Sequence, residues 1–111
     1  MYRQQRVLIV DDIPENIHIL LNILKNDFMI LTATSGEQAL DVALKEPIPD
    51  IILLDIQLPG IDGYEVCRRL KANKATKDIP VIFVTILDDN IDEAKGLKLG
   101  AIDYITKPIN S

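Results

Sequence analysis

The stretch Asp50-Ile51-Ile52-Leu53-Leu54-Asp55 constrains this chain more than any other. Its four consecutive apolar residues are too few for a helix and lie between Pro49 and Pro59, so they read as a strand buried on both faces. Such a strand delivers Asp55 to its C-terminal end, the edge at which an open α/β sheet binds and reacts. A carboxylate placed there is poorly solvated and has to be paired, bound to a metal or engaged in chemistry.

Four further stretches have strand character. Residues 7–10 form a continuous apolar run that ends in Asp11-Asp12, and residues 81–85, entered from Pro80, form another. Residues 29–33 and 101–106 are shorter candidates, the last closed by Lys107-Pro108. Helical patterns lie between them. Pro14 opens one with Ile17, Leu20, Leu21 and Leu24 on a common face, and Asp12 is placed to cap it. Ser35-Gly36-Glu37-Gln38 has the form of a capping box before the apolar face Ala39, Leu40, Ala43 and Leu44, which Pro47 and Pro49 bring to an end. Pro59-Gly60 and Asp62-Gly63 make a tight loop, after which Tyr64, Val66, Cys67 and Leu70 predict a helix to about Ala72. Asp88-Asp89-Asn90 reads as a loop or cap before a weaker helix holding Ile91, Ala94, Leu97 and Leu99, with Gly100 as its stop.

Strands thus alternate with helices and no internal repeat occurs, which predicts a parallel sheet with right-handed crossovers. Five strands point to a doubly wound, flavodoxin-like α/β fold of order 2-1-3-4-5. In that order the C-terminal strand ends carry Asp11, Asp12, Asp55, Thr85 and Lys107 to one edge. The composition agrees: 111 residues make one domain, and a hydrophobic share of 48% supports a core. A net charge of −5 argues against binding a nucleic-acid backbone unaided. The single Cys67 fits a reducing compartment. No apolar run approaches the roughly 18 residues of a membrane span, and the N-terminus lacks a signal-peptide core. A cytoplasmic domain is expected.

Three carboxylates gathered within ~5 Å repel by roughly 3 kcal/mol per pair at an effective dielectric of about 20. Lys107 offsets one of the three negative charges, and a divalent cation would complete the balance. Hard oxygen ligands favour Mg²⁺ or Mn²⁺ over zinc, for which the sequence has no Cys/His cluster. The simpler alternative is that each acid is locally structural, capping the helix that follows its strand.

The Asp11-Asp12 pair, Leu54-Asp55-Ile56-Gln57-Leu58-Pro59 with Asp62-Gly63, Thr85, and Asp103-Tyr104-Ile105-Thr106-Lys107-Pro108 together resemble response-regulator receiver domains of two-component signalling. The match runs over residues 7–108. The resemblance implies that Asp55 is the phosphoacceptor, served by a histidine kinase or a histidine phosphotransfer protein. It implies that Asp12, Asp55 and the backbone carbonyl of Gln57 hold Mg²⁺, with Asp11 acting through a water. Lys107 would contact the phosphoryl group, the peptide before Pro108 would be cis, and Thr85 and Tyr104 would form a switch pair controlling an output domain or protein. Glu65-Val66-Cys67-Arg68-Arg69-Leu70 is similar to receivers of hybrid kinases and of cyclic-nucleotide-synthesising regulators.

Two departures stand out. Ile86 follows the switch Thr where many receivers have a small residue, which predicts a slowed phosphoryl cycle unless Ile86 points into the core. After the Lys-Pro turn only Ile109-Asn110-Ser111 remain, where the family has a fifth helix. That predicts a receiver truncated from a longer chain, with apolar surface left for association, including a homodimer. Other readings are a docking module that is never phosphorylated, an aspartate-nucleophile phosphohydrolase, and a flavin carrier of the same topology. Gln57 stands where such a phosphohydrolase needs a second Asp, and the acids after the first strand would repel a flavin phosphate. His18 reads as a solvated helix residue and Cys67 as half-buried packing. Arg68, Arg69, Lys71, Lys74 and Lys77 read as a solvated basic face.

Overall fold

A computed structural model describes residues 4–86 and 92–107. Its elements alternate along the chain: β1 (Arg6–Val10), α1 (Pro14–Leu24), β2 (Met29–Ala33), α2 (Gly36–Ala43), β3 (Ile51–Leu54), α3 (Gly63–Ala72), β4 (Val81–Thr85), α4 (Glu93–Lys98) and β5 (Asp103–Thr106). All neighbouring strands are parallel and the sheet order is β2-β1-β3-β4-β5. This is the doubly wound, flavodoxin-like arrangement expected from the alternation of buried runs with helices. The central strands are apolar on both faces because both faces are covered. Leu8, Val10, Ile52, Leu54, Val81 and Phe83 pack with residues of α2 and α3 in the larger core. Val7, Ile9, Leu53 and Val84 face the other way, against Leu20, Ile17 and Leu24 of α1. No fifth helix occurs among the described residues, and Lys107-Pro108 with the residues after it lies at or beyond their limit.

The strand ladders run one bond past the apolar segments. The amide of Asp11 donates to the carbonyl of Ala33 (3.1 Å), that of Asp55 to Val10 (3.0 Å) and that of Lys107 to Thr85 (3.0 Å). Each charged residue is therefore still held by the neighbouring strand at the position where its side chain leaves the sheet.

The helix starts differ from expectation in instructive ways. Asp12 does not cap α1; Ile13 is the N-cap without a side-chain bond, and Asp11 Oδ1 accepts from the Ile13 amide instead (3.0 Å). The chain must turn within two residues of β1, which brings the first acid of the pair back onto the backbone and leaves the second exposed. At α2, Ser35 Oγ accepts from the Gln38 amide as a capping box requires, but Gln38 Oε1 returns to the Thr34 amide (2.7 Å). Leu44 is the C-cap of α2 and lies exposed, not on the inner face. In α4 the inward residue is Gly96, while Ala94 and Leu97 are exposed. The crossing is close enough there to admit only a glycine: a Cβ would fall on the Tyr104 hydroxyl and 2.7 Å from Phe83 Cε2. Strand β5 begins at Asp103, two residues later than predicted, and Ile102 just before it is exposed. Residues 88–91, read as a loop and the start of a helix, lie outside the described residues. So does the peptide expected to be cis before Pro108, whereas a cis peptide does occur at Glu46–Pro47.

Cys67 is fully buried, its thiol 3.7 Å from the Leu99 carbonyl, and burial pushes its pKa up. His18 is exposed. Within the basic run, Arg68 and Arg69 both bind Glu65, holding its carboxyl down to about 2, and Lys71 Nζ donates to the carbonyls of Lys77 and Ile79.

Gly63 is the tightest joint near the sheet edge. Its amide donates to the Ile56 carbonyl at 2.7 Å, and a Cβ would meet the Asp55 carbonyl oxygen and lie 2.7 Å from Ile56 Cα. Both obstacles are backbone, so neither can rotate away. Replacing Gly63 by Ala is expected to lower the free energy of unfolding by about 1–3 kcal/mol, the usual cost of overpacking. Urea denaturation measures it.

Candidate functional site

Asp11, Asp12 and Asp55 come from the ends of β1 and β3, adjacent strands whose register pairs Val10 with Leu54. One oxygen of each lies within 4.8 Å of the others. Asp11 and Asp55 are almost fully buried, at 2% and 4% exposure, while Asp12 faces solvent. Lys107 enters from the end of β5 and inserts its ammonium between the buried pair. Nζ lies 2.6 Å from Asp11 Oδ2 and 3.2 Å from Asp55 Oδ2. The remaining oxygens are also held. Asp11 Oδ1 accepts from the Ile13 amide and, at 3.5 Å, from Asn16 Nδ2; Asp55 Oδ1 accepts from the Gln57 amide at 3.3 Å.

Burial pushes the Asp55 carboxyl above the ordinary carboxylate range. The charge of Lys107 pulls it back, the charge of Asp11 adds to the rise, and the Gln57 amide bond opposes it. For Lys107 burial alone would lower the ammonium pKa, but the hydrogen bond to Asp11 and the charges of Asp55 and Asp11 outweigh it and hold it above normal. One ammonium among three carboxylates leaves two negative charges uncompensated. The donor set is all oxygen, close-spaced and open to solvent on the Asp12 side, which fits a hard divalent cation.

Thr85 closes β4 and is 1% exposed, and its Oγ1 has no hydrogen-bond partner among the described residues. A buried hydroxyl without a partner is unusual in a folded protein. Across the β4–β5 pairing, Thr85 faces Thr106 and Phe83 faces Tyr104. Tyr104 is half-buried, its ring against Phe83 at 5.2 Å between centroids, and its hydroxyl donates to the Asp92 carbonyl at 3.1 Å.

The comparisons with known proteins bear on this geometry. A family model described as the response regulator receiver domain matches residues 7–111. This chain belongs to the response-regulator receiver domain family. The response regulator PleD of Caulobacter vibrioides is 45% identical over 106 residues, which make up 95% of this chain and 23% of PleD. Across five curated relatives of 42% to 45% identity, this receiver domain spans 23% to 44% of their length. Among solved structures, the N-terminal domain of a response regulator receiver protein from Methanoculleus marisnigri is 36% identical with a TM-score of 0.82, covering 96% of this chain and 86% of that one. The receiver domain of the sensor histidine kinase PA1611 from Pseudomonas aeruginosa is 29% identical with a TM-score of 0.85, covering 97% and 88%, and has a magnesium ion coordinated in its active-site cleft. No helix among the described residues is long and apolar enough to cross a membrane.

The receiver domain thus brings Asp11, Asp12, Asp55 and Lys107 together as the strand order predicts. Gln57 lies beside them with its side chain exposed, touching Asp55 through its amide. Ile86 is 55% exposed, so it does not point into the core. Three contributors escaped the sequence reading. Asn16 reaches back to Asp11, Gly63 seats α3 on the Asp55 peptide, and Tyr64 bonds to Asp92. For Asn16 a signal existed, a polar residue one turn into a helix that starts beside an acid. For Gly63 the Asp-Gly pair was read as a turn, whereas Asp62 is the cap of α3, its Oδ1 accepting from the Glu65 amide at 2.9 Å.

Because Thr85 Oγ1 has no partner among the described residues, Thr85→Val is expected to change the stability of the receiver domain by less than about 1 kcal/mol. Thermal or urea unfolding of the two proteins checks this. A larger loss would mean that the hydroxyl is bonded in solution.

Proposed function

We propose that this receiver domain takes a phosphoryl group onto Asp55 from a histidine kinase or a histidine phosphotransfer protein and relays the event by a change of conformation. The observation that carries the reading is the Lys107 ammonium held jointly by Asp11 and Asp55, with Asp12 alongside. A purely structural acid would need one partner. Here a cation and two further carboxylates share its pocket.

Asp12, Asp55 and the Gln57 carbonyl would hold Mg²⁺ (or Mn²⁺), with Asp11 acting through a water. When bound, the ion supplies positive charge to the oxygens of the transferring group. The chain's own residues do the rest. The Gln57 amide and Lys107 orient the two Asp55 oxygens before a donor arrives. An Asp55 oxygen forms the new O–P bond while the P–N bond of the phosphohistidine breaks, its electron pair returning to the imidazole. Phosphoryl transfer passes through a loose transition state, so alignment and neutralisation of charge supply most of the catalysis. Lys107 is placed to turn its ammonium from Asp55 Oδ2 toward the phosphoryl oxygens. Thr85 offers a hydroxyl that has no partner among the described residues to give up. If Thr85 moves to the phosphoryl group, Tyr104 can enter the vacated space, and the face formed by α4 and β5 shifts with it. The domain acts on its own acyl phosphate and turns over no other substrate. The much longer relatives support reading residues 1–111 as one module of a longer protein with a separate output.

Incubation with acetyl phosphate and Mg²⁺ is expected to add one phosphoryl group to the wild type and none to Asp55→Asn, read by mass spectrometry of the intact protein. Undiminished labelling of the variant would place the acceptor elsewhere. Ile86 follows Thr85 and is exposed, and a branched side chain beside the phosphoryl pocket would hinder attacking water. Ile86→Ala is therefore expected to lose its phosphate several-fold faster than the wild type. Equal decay rates in the two proteins would end that idea.

A further inference from the structure

Two tyrosines from different elements converge on one peptide at the start of α4. Tyr64, the second residue of α3, is 7% exposed, and its hydroxyl accepts from the Asp92 amide (2.9 Å) and donates to the Asp92 carbonyl (3.0 Å). Tyr104 of β5 donates to the same carbonyl (3.1 Å). Asp92 is the N-cap of α4: its Oδ1 accepts from the Lys95 amide at 3.1 Å, and its carbonyl accepts the first helical bond, from Gly96 at 3.4 Å. Phe83 lies between the two phenols, edge-on to Tyr64 at 5.6 Å and tilted against Tyr104 at 5.2 Å. Lys95 places its ammonium 4.6 Å above the Tyr64 ring. The missing Cβ of Gly96 leaves the room that the Tyr104 hydroxyl occupies.

The roles of the two hydroxyls differ. Tyr104 donates to the carbonyl of Asp92 and lies against the Tyr64 hydroxyl, whereas Tyr64 holds both the amide and the carbonyl of Asp92. Tyr64 thus sets the position of the group to which Tyr104 is anchored. Tyr64 belongs to α3, and Gly63 immediately before it is seated on the backbone of Asp55 and Ile56. The phosphoacceptor loop and the anchor of Tyr104 therefore share one rigid helix start.

We infer that Tyr64 is a positioning residue of the switch: its hydroxyl clasps the Asp92 peptide and so stabilises the conformation in which Tyr104 is tied to α4. The inference rests on Asp55 being the phosphoacceptor. If phosphorylation draws Thr85 inward and frees Tyr104 from Asp92, it works against this clasp. Loosening the clasp in advance then makes the phosphorylated form easier to reach, because the coupling between two sites is reciprocal.

The test compares wild type, Tyr64→Phe, Tyr104→Phe and the double variant, using Mg²⁺ with beryllofluoride as the phosphoryl mimic. In Tyr64→Phe without the mimic, exchange of the Asp92 amide is expected to speed up about tenfold while amides of β1 and β3 keep their wild-type rates. Beryllofluoride affinity is expected to rise about three- to tenfold in either single variant. Because both phenols meet at one carbonyl, the double variant should bind no more than about twofold tighter than the better single. Wild-type exchange at Asp92, equal mimic affinity in wild type and Tyr64→Phe, or fully multiplicative effects in the double variant would each overturn the clasp. Failure of the mimic to bind any of the four proteins, wild type included, would instead overturn the phosphoacceptor reading and the clasp's role in switching with it.

Discussion

The Lys107 ammonium between Asp11 and Asp55 is the interaction on which the rest of the site depends. Two carboxylates this deeply buried would otherwise repel each other in a medium that screens them poorly. Desolvation is only partly offset, which is why the Asp55 carboxyl stays above its ordinary range even with a lysine against it. The third carboxylate, Asp12, keeps its hydration by remaining at the surface. The result is a pocket whose charge is incomplete, with one side, at Asp12, open to solvent.

That incompleteness is tolerable because the frame around it is complete. The central strands bury apolar side chains on both faces, and the described helices α2 and α3 on one side and α1 on the other cover them. The cost of holding like charges together, roughly 3 kcal/mol per pair at an effective dielectric of about 20, is of the size that such a core can carry. Thr85 Oγ1 has no hydrogen-bond partner among the described residues, and Tyr104 is tied to the Asp92 carbonyl.

Much of the fold was legible because its signals were local and redundant. Each of β1, β3 and β4 is a short apolar run bounded by acids or prolines, and the limits of β2, β3 and β4 agree with the sequence reading. The gathering of Asp11, Asp12, Asp55 and Lys107 followed from strand order alone. What was not legible depends on distances across the fold. Gly96 could not be told from a weak point in a helix until Phe83 and Tyr104 were seen beneath it. The helical spacing that put Ala94 and Leu97 inward failed because α4 crosses on its smallest residue. Asp12 was the expected cap of α1, and only the direction of the turn after β1 shows that Asp11 is the acid brought back onto the Ile13 amide. Tyr64 looked like core packing, and its ring is; the hydroxyl acquires a role only because the Asp92 peptide arrives opposite it.

The extra ladder bonds made by the amides of Asp11, Asp55 and Lys107 have a consequence for divergence. Reactive groups are aimed by main-chain contacts, which every residue type except proline can make. Aliphatic residues within the strands can therefore exchange among Val, Ile and Leu without re-aiming the acids and the lysine. Lineages can rewrite most of such a core while its chemistry stays in place. A relative that shares under half of its residues with this chain is compatible with that kind of drift.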